Sequence, residues 1–466
     1  MIILALLLPA LLGFLLISLL LCNDRNAGLL ERICLAFPLG AGMLTMQMFI
    51  LGLLRIPLTL GYTLTPLALE IVLLSIWVLW KKVPLARPSR WDSGTGWNLS
   101  GTRKITMVIL ASWAGIKLLS IFIETGLRPI FAWDAWANWS AGAKLFYSMK
   151  SLLLDGPAQD FFTQGAVLRI TSYPLHNPLM QVWLSMWTGG FDEVLSKFWS
   201  PVYLLALAGS LYVIAAKELN RLTALGLLVM FLSSPLLSYH SVEVYSDMPL
   251  SVYLFLASAS FLYVMRGRRS YLPLIALFSA EALFTKDESL FFVAPLLISA
   301  AVWVLRSPQE RPRKWRTLTY MFAPLLLIAP WYAFKFYHAL GLGAEFIKVE
   351  LVFHPEIIGS VTAQILFLPN FNLFFTLFPI LFVLGGKPNN EFFHLFVIVA
   401  CYALFFIMLY MFTSFYNAHF TNDDVFCRNL LTYYPVVVLL TVLQLKKQLP
   451  LFWTARIPKP ASARKK

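Results

Sequence analysis

Four short segments carry charge where charge is costly, and their residue types suit group transfer at a membrane surface. The first is WDAWANW (residues 133–139), which sets the Asp134 carboxylate among tryptophans of the kind that gather at membrane–water interfaces. The second, SVEVYSDMPL, holds Asp247 with Glu243 nearby. The third, LFTKDESLFF, is a turn between apolar runs carrying Lys286, Asp287 and Glu288. The fourth, DDVFCRNLLTYYP, brings Arg428 to the start of the last apolar run. A carboxylate within about 3 Å of an acceptor hydroxyl or amine can take its proton, contributing roughly 10² to 10⁴ in rate. Two cations beside it, Lys286 and Arg428, suit a lipid phosphate whose charge must be met near the bilayer.

Each segment also has an ordinary structural explanation. Asp134 and Asp247 are good helix N-caps, and Pro249 is the sort of residue that opens a helix. Lys286, Asp287 and Glu288 would serve as a solvated link between spans. Arg428 could snorkel to the interface or pair with Asp423 or Asp424. A capping Asp can still act as a base, so the readings are not exclusive.

The elements that must position these residues are apolar helices. Hydrophobic residues make up 59% of the 466, charged residues 13%, and mean hydropathy is +0.73, which excludes a soluble globular protein. The chain reads as an all-α polytopic membrane protein. The run 1–21 has no charged flank before it and no small-residue cleavage site, and a second apolar run follows closely, so it reads as a retained helix and not as a signal peptide. Cys22, Cys34, Cys401 and Cys427 show no metal-ligand spacing and imply no disulfide framework.

The net charge of +14 would suggest nucleic acid in a soluble protein, but its placement argues otherwise. Basic residues concentrate in 81–104, 266–269, 306–316 and 446–466, which the positive-inside rule makes cytoplasmic. The tail is suited to anionic head groups. At 17 to 25 apolar residues per span, about thirteen spans are expected: 1–21, 35–54, 62–80, 105–127, 196–216, 222–239, 247–265, 271–285, 289–305, 316–338, 363–384, 391–412 and 431–445. The amino terminus is then outside and the carboxyl terminus inside. Outer loops fall at 128–195, 339–362 and 413–430, and Asp134, Asp247, Lys286 and Arg428 all face outward, although none of them was used to set the topology. Residues 173–190 are apolar, but a span there would reverse the parity, so they are expected as a helix at the outer interface or a shallow re-entrant. Residues 135–149 are expected as an amphipathic interfacial helix, with Trp136, Trp139 and Leu145 toward lipid and Asn138 and Lys144 toward water.

The order WDAWANWSAGAK, YPLHNPLMQVWL, YSDMPLSVYLF, FTKDESLFF, CRNLLTYYP resembles the bacterial GT-C superfamily of polytopic glycosyltransferases, including the group related to protein O-mannosyltransferases and aminoarabinose transferases. The resemblance covers about 105–445; 1–104 then forms an N-terminal helical region with a basic loop, and 446–466 a basic tail. It implies a GT-C-like bundle whose first outer loop carries interfacial helices, and an enzyme that transfers a sugar from a polyprenyl-phosphate carrier to an acceptor outside the membrane. On that resemblance Asp134 matches the acid of the first outer loop and is the general base or its main orienting carboxylate. Asp247 is similar to the acid of the second outer loop, which shapes the acceptor or metal region. Lys286 and Glu288 resemble the lysine and acid of a T-K-x-E turn, and Arg428 the arginine before the terminal helix, a partner of the donor phosphate. Glu243 and His176 are accessory candidates. Ser289 stands where related sequences often have Gly, and TNDDVFC adds acids beside the phosphate position.

The expected function is therefore that of an integral glycosyltransferase of the bacterial inner membrane. It would work by inverting displacement, with a polyprenyl-phosphate-sugar donor and a lipid, polysaccharide or protein acceptor on the extracytoplasmic face. No nucleic-acid partner is expected. Asp134 and Asp247 leave a divalent metal as an option, but no DxD motif stands near Asp134, and no metal ligand set is assigned. The rival reading is a transporter or lipid flippase with Lys117, Glu124, Glu281 and Lys335 along a midplane path; repeated halves with paired broken helices, its usual mark, are not visible in the sequence.

Overall fold

A computed structural model describes residues 1–85, 101–152, 173–308, 311–341, 349–367, 369–385, 389–416 and 424–454. In chain order the helices are α1 (Ile2–Leu20), α2 (Leu29–Leu53), α3 (Leu60–Trp80), α4 (Gly101–Leu127), α5 (Ala141–Met149), α6 (His176–Thr188), α7 (Trp199–Glu218), α8 (Arg221–Leu232), α9 (Pro235–Val242), α10 (Asp247–Met265), α11 (Leu272–Leu283), α12 (Leu290–Arg306), α13 (Lys314–Phe322), α14 (Ala329–Tyr337), α15 (Ile357–Leu366), α16 (Phe374–Leu384), α17 (Asn390–Phe412) and α18 (Asp424–Thr454). Among the described residues the only extended pairing is an isolated antiparallel bridge between Leu351 and Thr413. The molecule is all-α, as expected for a chain that must satisfy its backbone hydrogen bonds internally in lipid.

Among the described residues ten helical segments are long and apolar enough to cross a membrane, fewer than the thirteen expected. The difference lies in three places. Expected span 222–239 is α8 followed by α9 at a bend of 69°. The break falls at Ser233 and Ser234, and Pro235, which lacks an N–H, opens α9. Expected span 271–285 is the twelve-residue α11. Expected span 363–384 is divided between the short α15 and α16, with Pro369 and Asn370 in the intervening turn.

α10 and α18 are buried along most of their length and form the centre, whereas α3 and α4 are largely exposed and peripheral. Near the amino terminus α1 and α2 touch backbone to backbone. A Cβ on Gly13 would lie 1.9 Å from the Ala36 carbonyl oxygen, and one on Gly40 would lie 1.7 Å from that of Pro9. Only glycine permits so close an approach.

The stretch expected as an interfacial helix or a shallow re-entrant, 173–190, contains α6, thirteen residues and about 20 Å long. Every residue from His176 to Trp187 is buried, so no face is left for lipid. The expected amphipathic helix 135–149 is a π-helical turn, Ala135–Ser140, running into α5. Trp136 and Lys144 are exposed, but Trp139 is buried against the Tyr173 ring at 5.6 Å between centroids, which overturns its lipid-facing assignment.

α10 and α18 set the scale of the molecule. Asp247 opens α10 and Arg266 follows its last residue, so at 1.5 Å per residue they are about 28 Å apart, close to the thickness of a bilayer's hydrocarbon core. Arg428 and Lys446 are separated by a similar distance along α18. Each helix thus carries one ionic cluster at either end.

Candidate active site

Asp134 occupies the N-cap position of the π-helical turn, yet its side chain makes no capping hydrogen bond. One carboxylate oxygen accepts from Asn138 Nδ2 at 3.0 Å, one turn further on, and the other accepts from Arg428 Nη1. π-helical turns frequently mark functional sites, because the wider turn re-aims side chains. Asp247 is the first residue of α10, with Ser246 and not Asp247 in the N-cap position. Its Oδ1 accepts from Lys286 Nζ at 3.0 Å and its Oδ2 from Arg428 Nε at 3.1 Å. The Arg428 guanidinium therefore bridges the two aspartates, and it lies over the Tyr245 ring at 4.6 Å from the centroid, a cation–π contact.

Lys286 precedes the short 3₁₀ turn Asp287–Ser289 and is buried, which overturns the reading of this turn as a solvated link. Its ammonium also lies 3.4 Å from Glu288 Oε1, which accepts from the Tyr173 hydroxyl at 2.9 Å. Burial pushes the Lys286 pKa down, but the Asp247 and Glu288 carboxylates more than offset it, and the net shift is upward. Lys286 is therefore an ammonium throughout the ordinary pH range. Burial, followed by Glu288, raises the Tyr173 pKa, so its phenol stays a donor. His240 Nδ1 is 3.8 Å from Asp247 Oδ2, too far for a hydrogen bond, and among the described residues both imidazole nitrogens lack a hydrogen-bond partner.

Asp134, Asp247, Lys286, Arg428 and Glu288 thus come together from segments spread over some three hundred residues. Arg428 is buried in this network and does not snorkel. Asp423 and the side chain of Asp424 lie outside the described residues.

Two further candidates sit apart from that ion network. Glu243 is buried with Lys197, whose Nζ lies 3.5 Å from Glu243 Oε1. His176 is buried, with Nδ1 2.7 Å from Thr45 Oγ1 and Nε2 2.9 Å from the Tyr203 hydroxyl. Tyr203 in turn contacts the Tyr253 hydroxyl at 2.6 Å, and Tyr253 donates to the Pro38 carbonyl at 2.9 Å. Burial lowers the His176 pKa to about 3, so the ring is neutral.

The four groups of the transport reading are dispersed. Lys117 and Glu124 are on peripheral α4, where Glu124 pairs with Arg128 at 2.8 Å. Lys335 pairs with Asp287 at 2.7 Å, and the Glu281 carboxyl is buried against Gly42. Sequence reasoning missed Asn138, Tyr173, His240 and Tyr245. The available signals were modest: Asn138 is one helical turn from Asp134, and Tyr245 stands two residues before Asp247 in the same motif.

Among the described residues no group of three or more His, Cys, Asp or Glu side chains is arranged to hold a metal ion. The two carboxylates that could contribute to one are instead joined by a guanidinium.

No protein-family model matches this sequence, and no curated protein matches it. Two solved structures are similar in fold, those of ArnT from Cupriavidus metallidurans bound to undecaprenyl phosphate and in the apo state. Each is 13% identical with a TM-score of 0.48, over 76% and 74% of this chain respectively. The chain spans 62% and 61% of the length of those two structures.

Proposed function

We propose that this protein is an integral membrane glycosyltransferase that moves a sugar from a polyprenyl-phosphate carrier to an acceptor on the extracytoplasmic face. The observation that carries the reading is the convergence of two carboxylates and two cations, Asp134, Asp247, Lys286 and Arg428, at one end of a membrane bundle. A lone pair of a buried acid and a base would be unremarkable as structure. Four such groups in one network, with Asp134 still partly exposed, are suited to a reaction in which a proton and a phosphate change places. The order of the sequence motifs, which resembles GT-C enzymes, points the same way.

In the proposed step the acceptor oxygen or nitrogen attacks the anomeric carbon as the bond from that carbon to the carrier phosphate oxygen breaks. The acceptor's proton passes to Asp134. The bonding pair leaves on the phosphate, whose charge Arg428 and Lys286 meet. Attack opposite to departure inverts the anomeric centre. Asp247 fixes the two cations against each other, since it binds both.

Asp134 occupies Arg428 in this conformation, so a phosphate arriving at the guanidinium competes with it. Release of Asp134 by that competition makes the base available only when the donor is bound. A divalent ion between Asp134 and Asp247 would require Arg428 to withdraw. The decisive experiment incubates purified protein with a panel of polyprenyl-phosphate sugars and acceptors and measures released polyprenyl phosphate. Release by the wild type that Asp134→Asn abolishes is the expected result; full activity in that variant removes the assignment of the base.

A further inference from the structure

The segment carrying Asp134 is attached on both sides to the short loop that precedes Asp247. Before Asp134, Lys197, the last residue of the 3₁₀ turn Leu195–Lys197 that precedes α7, donates to the Pro129 carbonyl at 3.2 Å and pairs with Glu243 at 3.5 Å. Both side chains are wholly buried. Burial raises the Glu243 pKa, with Lys197 opposing that shift, and Lys197, by holding both Glu243 and the Pro129 carbonyl, links the chain just before Asp134 to the residue four before Asp247. After Asp134, Ser140 donates to Gln181 Oε1 at 2.7 Å, and Gln181 Nε2 donates to Asn177 Oδ1 at 2.9 Å. Asn177 Nδ2 then donates to the Val244 carbonyl at 2.5 Å and to Ser246 Oγ at 3.1 Å. Ser140, Gln181, Asn177 and Ser246 are all buried.

We infer that these two buried bridges, Lys197–Glu243 on one flank and Ser140–Gln181–Asn177 on the other, are positioning devices that set Asp134 against Asp247 and Arg428. The inference rests on the proposed function for its catalytic meaning. Its physical basis is separate. Buried polar groups in a membrane bundle are costly unless satisfied, and both bridges end on the 243–246 loop. A cheaper way to pack α6 against its neighbours would use apolar side chains, as most of α6 does. The polar chain instead links two loops whose relative placement sets Asp134 beside the place where Arg428 would meet the donor phosphate. Displacement of a reacting group by about 1 Å can cost on the order of 10²-fold in rate.

The test uses the full chain in detergent or nanodiscs with two double variants, Ser140→Ala/Gln181→Met and Lys197→Met/Glu243→Gln. The second removes both charges together, so neither is left buried alone. In the transfer assay, kcat is expected to fall 10- to 100-fold with KM for the polyprenyl-phosphate sugar changed less than 3-fold. Ser140→Thr, which keeps the hydroxyl, is expected to retain kcat. Hydrogen exchange of peptides covering 129–140 is expected to speed up at least 10-fold in both doubles, with peptides from α10 and α18 unchanged. Wild-type kcat and wild-type exchange in both doubles would overturn the inference, as would faster exchange throughout the protein, which marks general loosening. If the wild type itself transfers no sugar from any donor, the proposed function fails, and the exchange result alone then decides whether the bridges hold the loop.

Discussion

The two ends of the bundle are both ionic, and they are built on different principles. At the end bearing the basic loops, Arg268 binds Asp24 at 2.7 Å and Glu31 at 3.3 Å, and Lys217 reaches Glu31 at 2.6 Å. Tyr271 donates to the same Glu31 at 2.7 Å. Arg266 joins Glu218 to Glu391, and Lys446 binds Glu218 at 3.0 Å. In these described pairs four carboxylates meet four cations. At the other end, in the described pairs of the site, three carboxylates, Asp134, Asp247 and Glu288, meet two cations. There, among the described residues, Glu288 Oε2 and both His240 nitrogens lack hydrogen-bond partners. A network whose charges balance is suited to holding helices in register. A network with surplus charge and spare valence is suited to exchanging partners, and that is the end where chemistry is assigned.

If this contrast is right, the largest effect belongs to Asp134. Asp134→Asn should lower transfer by about 10² to 10⁴ while leaving the protein inserted and folded, because only one partly exposed carboxylate is neutralised. The same change should tighten binding of polyprenyl phosphate, since Arg428 loses its internal competitor. Unchanged or weaker binding, read by titration of the carrier lipid into nanodiscs, would refute the exchange between Asp134 and phosphate.

The opposite end should answer in stability and not in rate. Arg268→Gln leaves Asp24 and Glu31 short of a partner, and breaking a buried pair in this way costs about 3–5 kcal/mol. Denaturation in detergent should therefore shift to milder conditions, with kcat/KM unchanged for the protein that remains folded. A loss of kcat/KM without loss of stability would mean that the two ends are coupled.

Arg428→Lys tests geometry within the site. Lysine keeps the charge but has no planar fork with which to bridge Asp134 and Asp247. Affinity for polyprenyl phosphate should fall 10- to 100-fold, about 1.4–2.7 kcal/mol. A variant with wild-type affinity and rate would show that charge alone suffices at this position.

The charged segments were legible because each is an anomaly in an apolar chain. Asp134, Asp247, Lys286 and Arg428 stand out in WDAWANW, YSDMPL, FTKDES and CRNLL, and all four meet. What was not legible is who pairs with whom. Pattern rules operate over one or two helical turns, whereas the Arg428 bridge joins residues from the first and last thirds of the described bundle. The burial of Trp139 and of α6 is not legible, because aromatic and apolar composition does not distinguish lipid from protein as the covering phase. The break at Ser233 and Ser234 was masked by the continuous hydrophobicity of α8 and α9, since Pro235 is equally compatible with a kink and with a new helix. Of the YPLHNPLMQVWL motif, His176 drew notice as the titratable residue, yet the side chain that reaches toward the 243–246 loop is its neighbour Asn177.

His176 gives the smallest expected effect and separates burial from catalysis. Its pKa is lowered to about 3 by burial, against an ordinary value near 6.5, so the folded protein holds it neutral where the unfolded chain binds a proton. Stability from this residue is fully present above the unfolded value and declines as pH falls from there toward the folded value. Between about pH 7 and about pH 5.5 the loss should be about 1 kcal/mol. His176→Gln, which keeps hydrogen-bonding capacity toward Thr45 and Tyr203, should flatten that part of the stability profile. The pH dependence of transfer should be unchanged, because a ring neutral throughout this range is not the group titrating in the reaction. A shift in the acid limb of the rate profile in this variant would bring His176 into the chemistry and make the buried tyrosine chain behind it part of the proton path.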